Sequence, residues 1–202
     1  MIKISTHIGA AITPFIDEIS NLRIHAFREF PYLYSGDDID YERKYTQDYA
    51  KNEKALLILV EHGDKIIGAL TGLPLAASSP IVQDVQTLFQ ANKQDINKAY
   101  YLGELILDKD YRYGLDLIRK MYHPYEAQIK AWCYETIYML TVKREENHPL
   151  KPKNYKSQNR LWERAKFYKT GITSQFHWPT IQADLSIKEM NNDMELWKKE
   201  LK

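Results

Sequence analysis

The chain has 202 residues, 44% of them hydrophobic and 27% charged, with a net charge of +1 at neutral pH. That length suffices for one core that buries roughly 70% of the unfolded surface without covalent staples. The balanced charge excludes a global pull toward nucleic acid or membrane. The single cysteine, Cys133, excludes an intramolecular disulfide and a cysteine-based metal site.

The opening segment MIKISTHIGAAITPF has no basic region followed by a long apolar run, so it does not read as a signal peptide. No stretch approaches the about 20 apolar residues of a membrane span. A cytoplasmic protein with no membrane contact is the expectation. Ile2–Ser5 reads as a short edge strand. Thr13 followed by Pro14 is a helix-start signal, and Phe15, Ile19, Leu22 and Phe27 with Ile16, Ile24 and Phe30 repeat at helical spacing until Pro31. After a turn at Ser35-Gly36-Asp37, a second and more polar helix covers Asp38–Ala50, with Tyr41, Tyr45 and Tyr49 on one face.

Ala55–Glu61 and Lys65–Leu73 flank His62-Gly63-Asp64 as the arms of a hairpin. Residues 81–91 form a short crossover helix. Tyr100–Leu107 is the next strand, Gly114–Lys130 the next helix and Thr136–Val142 a fifth strand. Lys143–Lys156 is a loop and Ser157–Ala165 a short helix. The apolar context of Cys133 predicts a buried, unreactive thiol. Thr173–Trp178 has strand composition. Met194, Trp197 and Leu201 repeat at helical spacing in a segment short enough to be a strand. The order is that of a mixed α/β protein, one domain over residues 1–202, built around a single sheet of about six or seven strands.

The segment YYLGELILDKDYRYGLDLIRKM, residues 100–121, concentrates the chemistry. An apolar strand breaks at Asp108–Asp110, and a basic helix begins near Gly114. Backbone N–H groups and a helix N-terminus then point beyond the strand, a natural place for a phosphate-bearing ligand. The element order, the hairpin ending ALTGLPL, the GELIL strand and the phrase LWERAKFYKTGI resemble the GNAT N-acetyltransferases. FREFPYLYSGDD and ENHPLKPKNYK resemble a bacterial subfamily of these enzymes. The resemblance covers nearly the whole chain, and its specificity lies in the combination.

The resemblance implies a GNAT-like fold, acetyl-CoA as co-substrate, no metal, and direct acyl transfer to a primary amine of a small molecule or peptide. Backbone groups of Ile106 and Leu107 would polarise the thioester carbonyl, and Arg112, Tyr113, Gly114, Leu115, Asp116 and Leu117 would hold the cofactor. The family signature Gln/Arg-x-x-Gly-x-Gly/Ala is altered here. Anchored on Gly114 it becomes Tyr111-x-x-Gly114-x-Asp116; anchored on Arg112, its glycine positions become Leu115 and Leu117. A carboxylate at Asp116 would repel a phosphate, or would cap the helix and fill the anion's place. Arg112, Arg119 and Lys120 could offset it, or be ordinary solvated charge.

Glu104 lies in an otherwise apolar strand, where a carboxylate needs a partner or a raised pKa. It is the candidate general base, against a salt-bridged glutamate facing a wet cleft. The family's general-acid tyrosine falls at Trp162, with Tyr155 and Tyr168 nearby in sequence. Tyr32, Tyr34 and Asp38, in an acidic and tyrosine-rich stretch, are candidates for binding a cationic amine, or simply cap a helix and pack. A basic tract from Lys143 to Lys169 suits a solvated face or the nucleotide end of CoA; nucleic acid is not expected. The six histidines show no pair at metal-ligand spacing. A homodimer is compatible with the resemblance, and a non-catalytic binding module of the same fold is the alternative function.

Overall fold

The strand Leu56–His62 (β2) shows why the molecule is layered. Leu56, Leu57, Ile58, Leu59 and Val60 are all fully buried, so the strand has no solvent face. Such a strand must be covered on both sides, and each of these side chains contributes roughly 1.5–3 kcal/mol on burial. A computed structural model, describing residues 1–92, 95–112 and 115–201, shows what covers it.

The strands are β1 (Ile2–Ile8), β2, β3 (Lys65–Pro74), β4 (Ala99–Leu107), β5 (Thr136–Val142), β6 (Tyr168–Ile181) and β7 (Ile187–Glu200). The helices are α1 (Ile16–Phe27), α2 (Ile39–Ala50), α3 (Pro80–Ala91), α4 (Leu115–Ala131) and α5 (Asn159–Arg164). All seven strands form one sheet in the order β1-β2-β3-β4-β5-β7-β6. Neighbours are antiparallel, except that β4 and β5 are parallel. Helices α1, α2 and α3 cover one face through Ile19, Tyr49, Val82 and Phe89. Helices α4 and α5 cover the other through Met121, Tyr125, Ile129 and Trp162.

Two expectations change, and one open choice closes. The first helix does not start at Thr13: the chain winds through a 3-10 turn, Gly9–Phe15, with Pro14 inside it, and no side chain caps α1. Gly9 at φ +56° makes that entry. The tail, left open between helix and strand by its spacing, is strand. β7 pairs with β5 from Val142↔Met194 to Thr136↔Glu200, and the buried Asn192, Met194 and Leu196 alternate along it. Cys133 is exposed rather than buried. It follows the end of α4 in the left-handed region at φ +62°, which turns its side chain out of the core.

Candidate active site

β4 and β5 are neighbours over only three residue pairs, Ala99↔Thr136, Tyr100↔Ile137 and Tyr101↔Tyr138. Beyond them β4 follows β3 and β5 follows β7, so the two strands part. A bulge marks the parting: Thr71 faces Glu104 while Gly72 faces Leu102, leaving Gly103 unopposed. A Cβ on Gly103 would lie 2.0 Å from the Tyr49 hydroxyl, and one on Gly72 would lie 2.0 Å from the Tyr125 hydroxyl. Tyrosines press on the backbone from both faces here, which only glycine permits.

The alternation of antiparallel hydrogen bonds decides which backbone groups enter the parting. Asp108 N–H donates to the Ile67 carbonyl at 2.8 Å. In this register Glu104 and Ile106 then turn their backbone groups to β3, whereas Leu105 and Leu107 turn theirs toward β5. Of the two expected oxyanion donors, Leu107 therefore faces the parting and Ile106 is committed to the sheet.

Glu104 has the partner its burial demands. It is 5% exposed and ion-paired with Arg23 of α1 through Oε1, while Thr71 Oγ1 donates to Oε2 at 3.4 Å. Arg23, also buried, donates from Nε to Glu42 Oε2 of α2 at 2.7 Å. Its guanidinium lies 4.0 Å from the Tyr45 ring centroid and 5.1 Å from that of Phe27. Burial alone would depress the Arg23 pKa, but Tyr45 and Glu42 hold it above the ordinary value. Tyr34 donates its hydroxyl proton to Glu42 Oε1 at 2.9 Å, and burial and that carboxylate push its pKa up. Two carboxylates thus share one guanidinium among α1, α2 and β4.

Sequence reasoning placed Glu42 in the acidic stretch but missed Arg23 and the pairing of the two, although a signal was present. Arg23 falls midway between Ile19 and Phe27 on the apolar stripe of α1, and Glu42 lies at helical spacing from Thr46 and Tyr49. A charge at a core-facing position needs a partner.

The other candidates divide between two sides of β4. Tyr34 joins the acid cluster. Tyr32 lies beside it, its ring 4.6 Å from that of Phe27 and its pKa pushed up to about 12 by burial. Asp38 instead caps α2, accepting from the N–H groups of Asp40 at 3.0 Å and Tyr41 at 3.1 Å. On the far side, Arg112 Nε donates to the Leu107 carbonyl at 2.8 Å, and its Nη1 is paired with Glu29. Tyr113 and Gly114 lie outside the described residues, as does the Leu115 side chain. Asp116 sits exposed in the first turn of α4 and bonds Lys120 at 2.6 Å, which draws its pKa down. Leu117 is buried against the apolar face.

Trp162 is 4% exposed and packs on Phe167 at 5.6 Å; its indole N–H has no hydrogen-bond partner among the described residues. Tyr155 packs edge-on against Phe30 at 4.7 Å, and Tyr168 is exposed. In the basic tract, Lys151 pairs with Glu146 and Lys169 with Glu195. Among the described residues, no cluster of His, Cys, Asp and Glu could hold a metal ion, and no helix is long and apolar enough to cross a membrane.

No family model and no curated protein sequence matches the chain. Solved structures do. An acetyltransferase of the GNAT family from Streptococcus pneumoniae superimposes with a TM-score of 0.60 at 11% identity, over 100% of both chains. The ribosomal-protein-S18-alanine N-acetyltransferase of Escherichia coli gives 0.56 at 13% identity, over 100% of this chain and 94% of its own. The AHL synthase LasI gives 0.60 at 11% identity, over 100% of this chain and 91% of its own. The chain has the GNAT fold.

Proposed function

We propose that the protein is a cytoplasmic N-acetyltransferase that transfers an acetyl group from acetyl-CoA to a primary amine by direct attack. The observation that carries this reading is the parting of β4 from β5, with the backbone of Leu105 and Leu107 turned into it beside Glu104. Acetyl-CoA would supply the thioester, and the Leu107 N–H would donate to its carbonyl oxygen as negative charge develops there.

Glu104 is the group proposed to take the amine proton as the C–N bond forms; the thioester C–S bond breaks and CoA leaves as a thiolate that solvent protonates. A carboxylate paired with arginine is ordinarily a weak base. Here, however, two carboxylates face one guanidinium, so with both ionised the cluster would carry one uncompensated negative charge. A proton arriving at Glu104 neutralises the cluster and leaves Arg23 with Glu42 as its counterion. Protonation therefore strands no buried charge, which supports proton acceptance at this place. Arg23 and Glu42 act as positioning residues.

Fit to CoA is uneven. The open strand backbone suits the extended, amide-bearing arm of the cofactor. The residues around the phosphate turn suit it less, because Arg112 is paired with Glu29 and Asp116 adds a carboxylate. That pairing favours a second reading, a binding module of the same fold that has lost the cofactor. Isothermal titration with acetyl-CoA and, separately, CoA tests the choice. Micromolar binding supports the enzyme, and an absence of binding at millimolar ligand overturns it.

A further inference from the structure

A cation half-withdrawn from water ordinarily sits beside a carboxylate. Arg144, just after β5, has no carboxylate in ion-pair contact among the described residues, although Asp193 lies near enough to act on it electrostatically. Its Nε donates to the Pro31 carbonyl at 2.8 Å and its Nη2 to the Tyr32 carbonyl at 3.0 Å, which are neutral partners. Burial pulls its pKa below the ordinary arginine value, with Asp193 opposing. The Asp193 carboxylate itself is engaged by Gln175 Nε2 at 3.0 Å.

Arg144 lines a cavity of about 130 Å³ between the loop after β5 and the end of the β6–β7 hairpin. His148, Thr180, Gln182 and Met190 complete much of its wall, and none of the lining residues is acidic. The Leu150 N–H donates to His148 Nδ1 at 3.2 Å, which puts the proton of the neutral ring on Nε2 and makes that atom a donor. The volume corresponds to about four waters. That is room enough for a carboxylate.

Tyr32 connects this cavity to the acid cluster. Its carbonyl accepts from Arg144 and from Trp178 Nε1, while its ring packs on Phe27, over which Arg23 also lies. We propose that Arg144 and His148 form an anion subsite, and that the amine acceptor carries a carboxylate bound there. The substrate class is then compounds bearing both an amine and a carboxylate. The acceptor half of this inference rests on the acetyltransferase reading, whereas the subsite does not.

Two measurements separate the two. Titration of the protein with acetate, followed by the ring signals of His148 in nuclear magnetic resonance, should give a saturable millimolar shift. Arg144→Gln should weaken it at least tenfold, and His148→Gln, read on the Arg144 guanidinium signals, should weaken it by a smaller factor. Arg144→Gln retains amide donors for the loop carbonyls, and its unchanged backbone spectrum would exclude misfolding; should it misfold, His148→Gln alone carries the test. An absent shift, or one equal in both variants, overturns the subsite. In a coupled assay, α-amino acids should exceed their carboxamides at least tenfold in kcat/KM, and Arg144→Gln should bring that ratio near one. Equal use of acid and amide overturns the assigned substrate class while leaving the transferase reading intact. A specific acetate shift with no turnover on any amine sinks the transferase reading and upholds the subsite.

Discussion

The two faces of β4 are built from opposite chemistry. Toward α4 the strand presents Leu105 and Leu107, which pack with Leu117, Met121 and Tyr125. Toward α1 and α2 it presents Glu104, held by a buried arginine that also binds Glu42. An apolar face tolerates local shifts, because dispersion and burial are nondirectional. A buried ionic cluster does not, because losing one member strands the others. One strand thus combines a forgiving wall with an exacting one, and the open backbone edge lies between them.

The largest effect should come from Glu104→Gln. Turnover should fall about 10²–10⁴-fold, as for loss of a general base, while CoA affinity measured by titration stays the same. Turnover within twofold of wild type would remove Glu104 from the chemistry. Arg23→Leu attacks the same wall through stability: two buried carboxylates lose their counterion, and urea unfolding should register a loss of about 3–5 kcal/mol. A loss under 1 kcal/mol would mean that the cluster is solvated and the two faces are less different than their contacts imply.

Gly103→Ala tests the bulge between the faces. Its Cβ would meet the hydroxyl of Tyr49, a residue only 1% exposed, so a loss of about 1–3 kcal/mol is expected from overpacking. Adding Tyr49→Phe removes the obstructing oxygen and should recover part of that loss. A strictly additive double mutant would show that the hydroxyl is not the obstacle.

The α4 face has a polar tie of its own, and it should respond to acid. Burial would raise the Glu126 pKa, but bonds to Lys199 and Lys130 outweigh it and hold it below the ordinary 4.5. A carboxyl with a depressed folded pKa stabilises above its unfolded value, and that stability is lost as pH falls through the folded one. Thermal unfolding between pH 7 and pH 3 should therefore show an acid limb that Glu126→Gln flattens. An unchanged limb would assign it to other carboxylates. The smallest effect is expected at Asp116, which is exposed and already paired with Lys120. Asp116→Gly should tighten CoA binding by about threefold, because the remaining repulsion is screened by water and salt. Weaker binding, or a lower melting temperature, would assign Asp116 a helix-stabilising role instead.

Much of the fold was legible because its signals are local. Asp38 marks the start of α2, Gly63-Asp64 closes the β2–β3 turn, and the apolar runs of β2 and β4 have no helical period. Other signals were misleading or ambiguous for equally local reasons. Thr13-Pro14 resembles a cap, yet the chain is already in a 3-10 turn there. Met194, Trp197 and Leu201 match a helix in a segment equally short enough for a strand, and pairing with β5 and β6 decided that open choice by offering it two ladders. In the candidate site, Glu104 was conspicuous because a carboxylate interrupts an apolar strand. Its partner was not, because 81 positions separate it from Arg23 and only packing of α1 on β4 closes that distance.

By itself the sequence determined which segments are strands and helices over most of the chain, and that a carboxylate lies within β4. Those outcomes follow from periodicity, turn chemistry and burial, which act over a few residues. Only the tertiary structure decided that Leu107 rather than Ile106 faces the parting, that Glu104 shares Arg23 with Glu42, and that Arg144 lines a cavity. Register, ion pairing and cavities depend on elements distant in sequence, and no local pattern encodes the distance at which they meet.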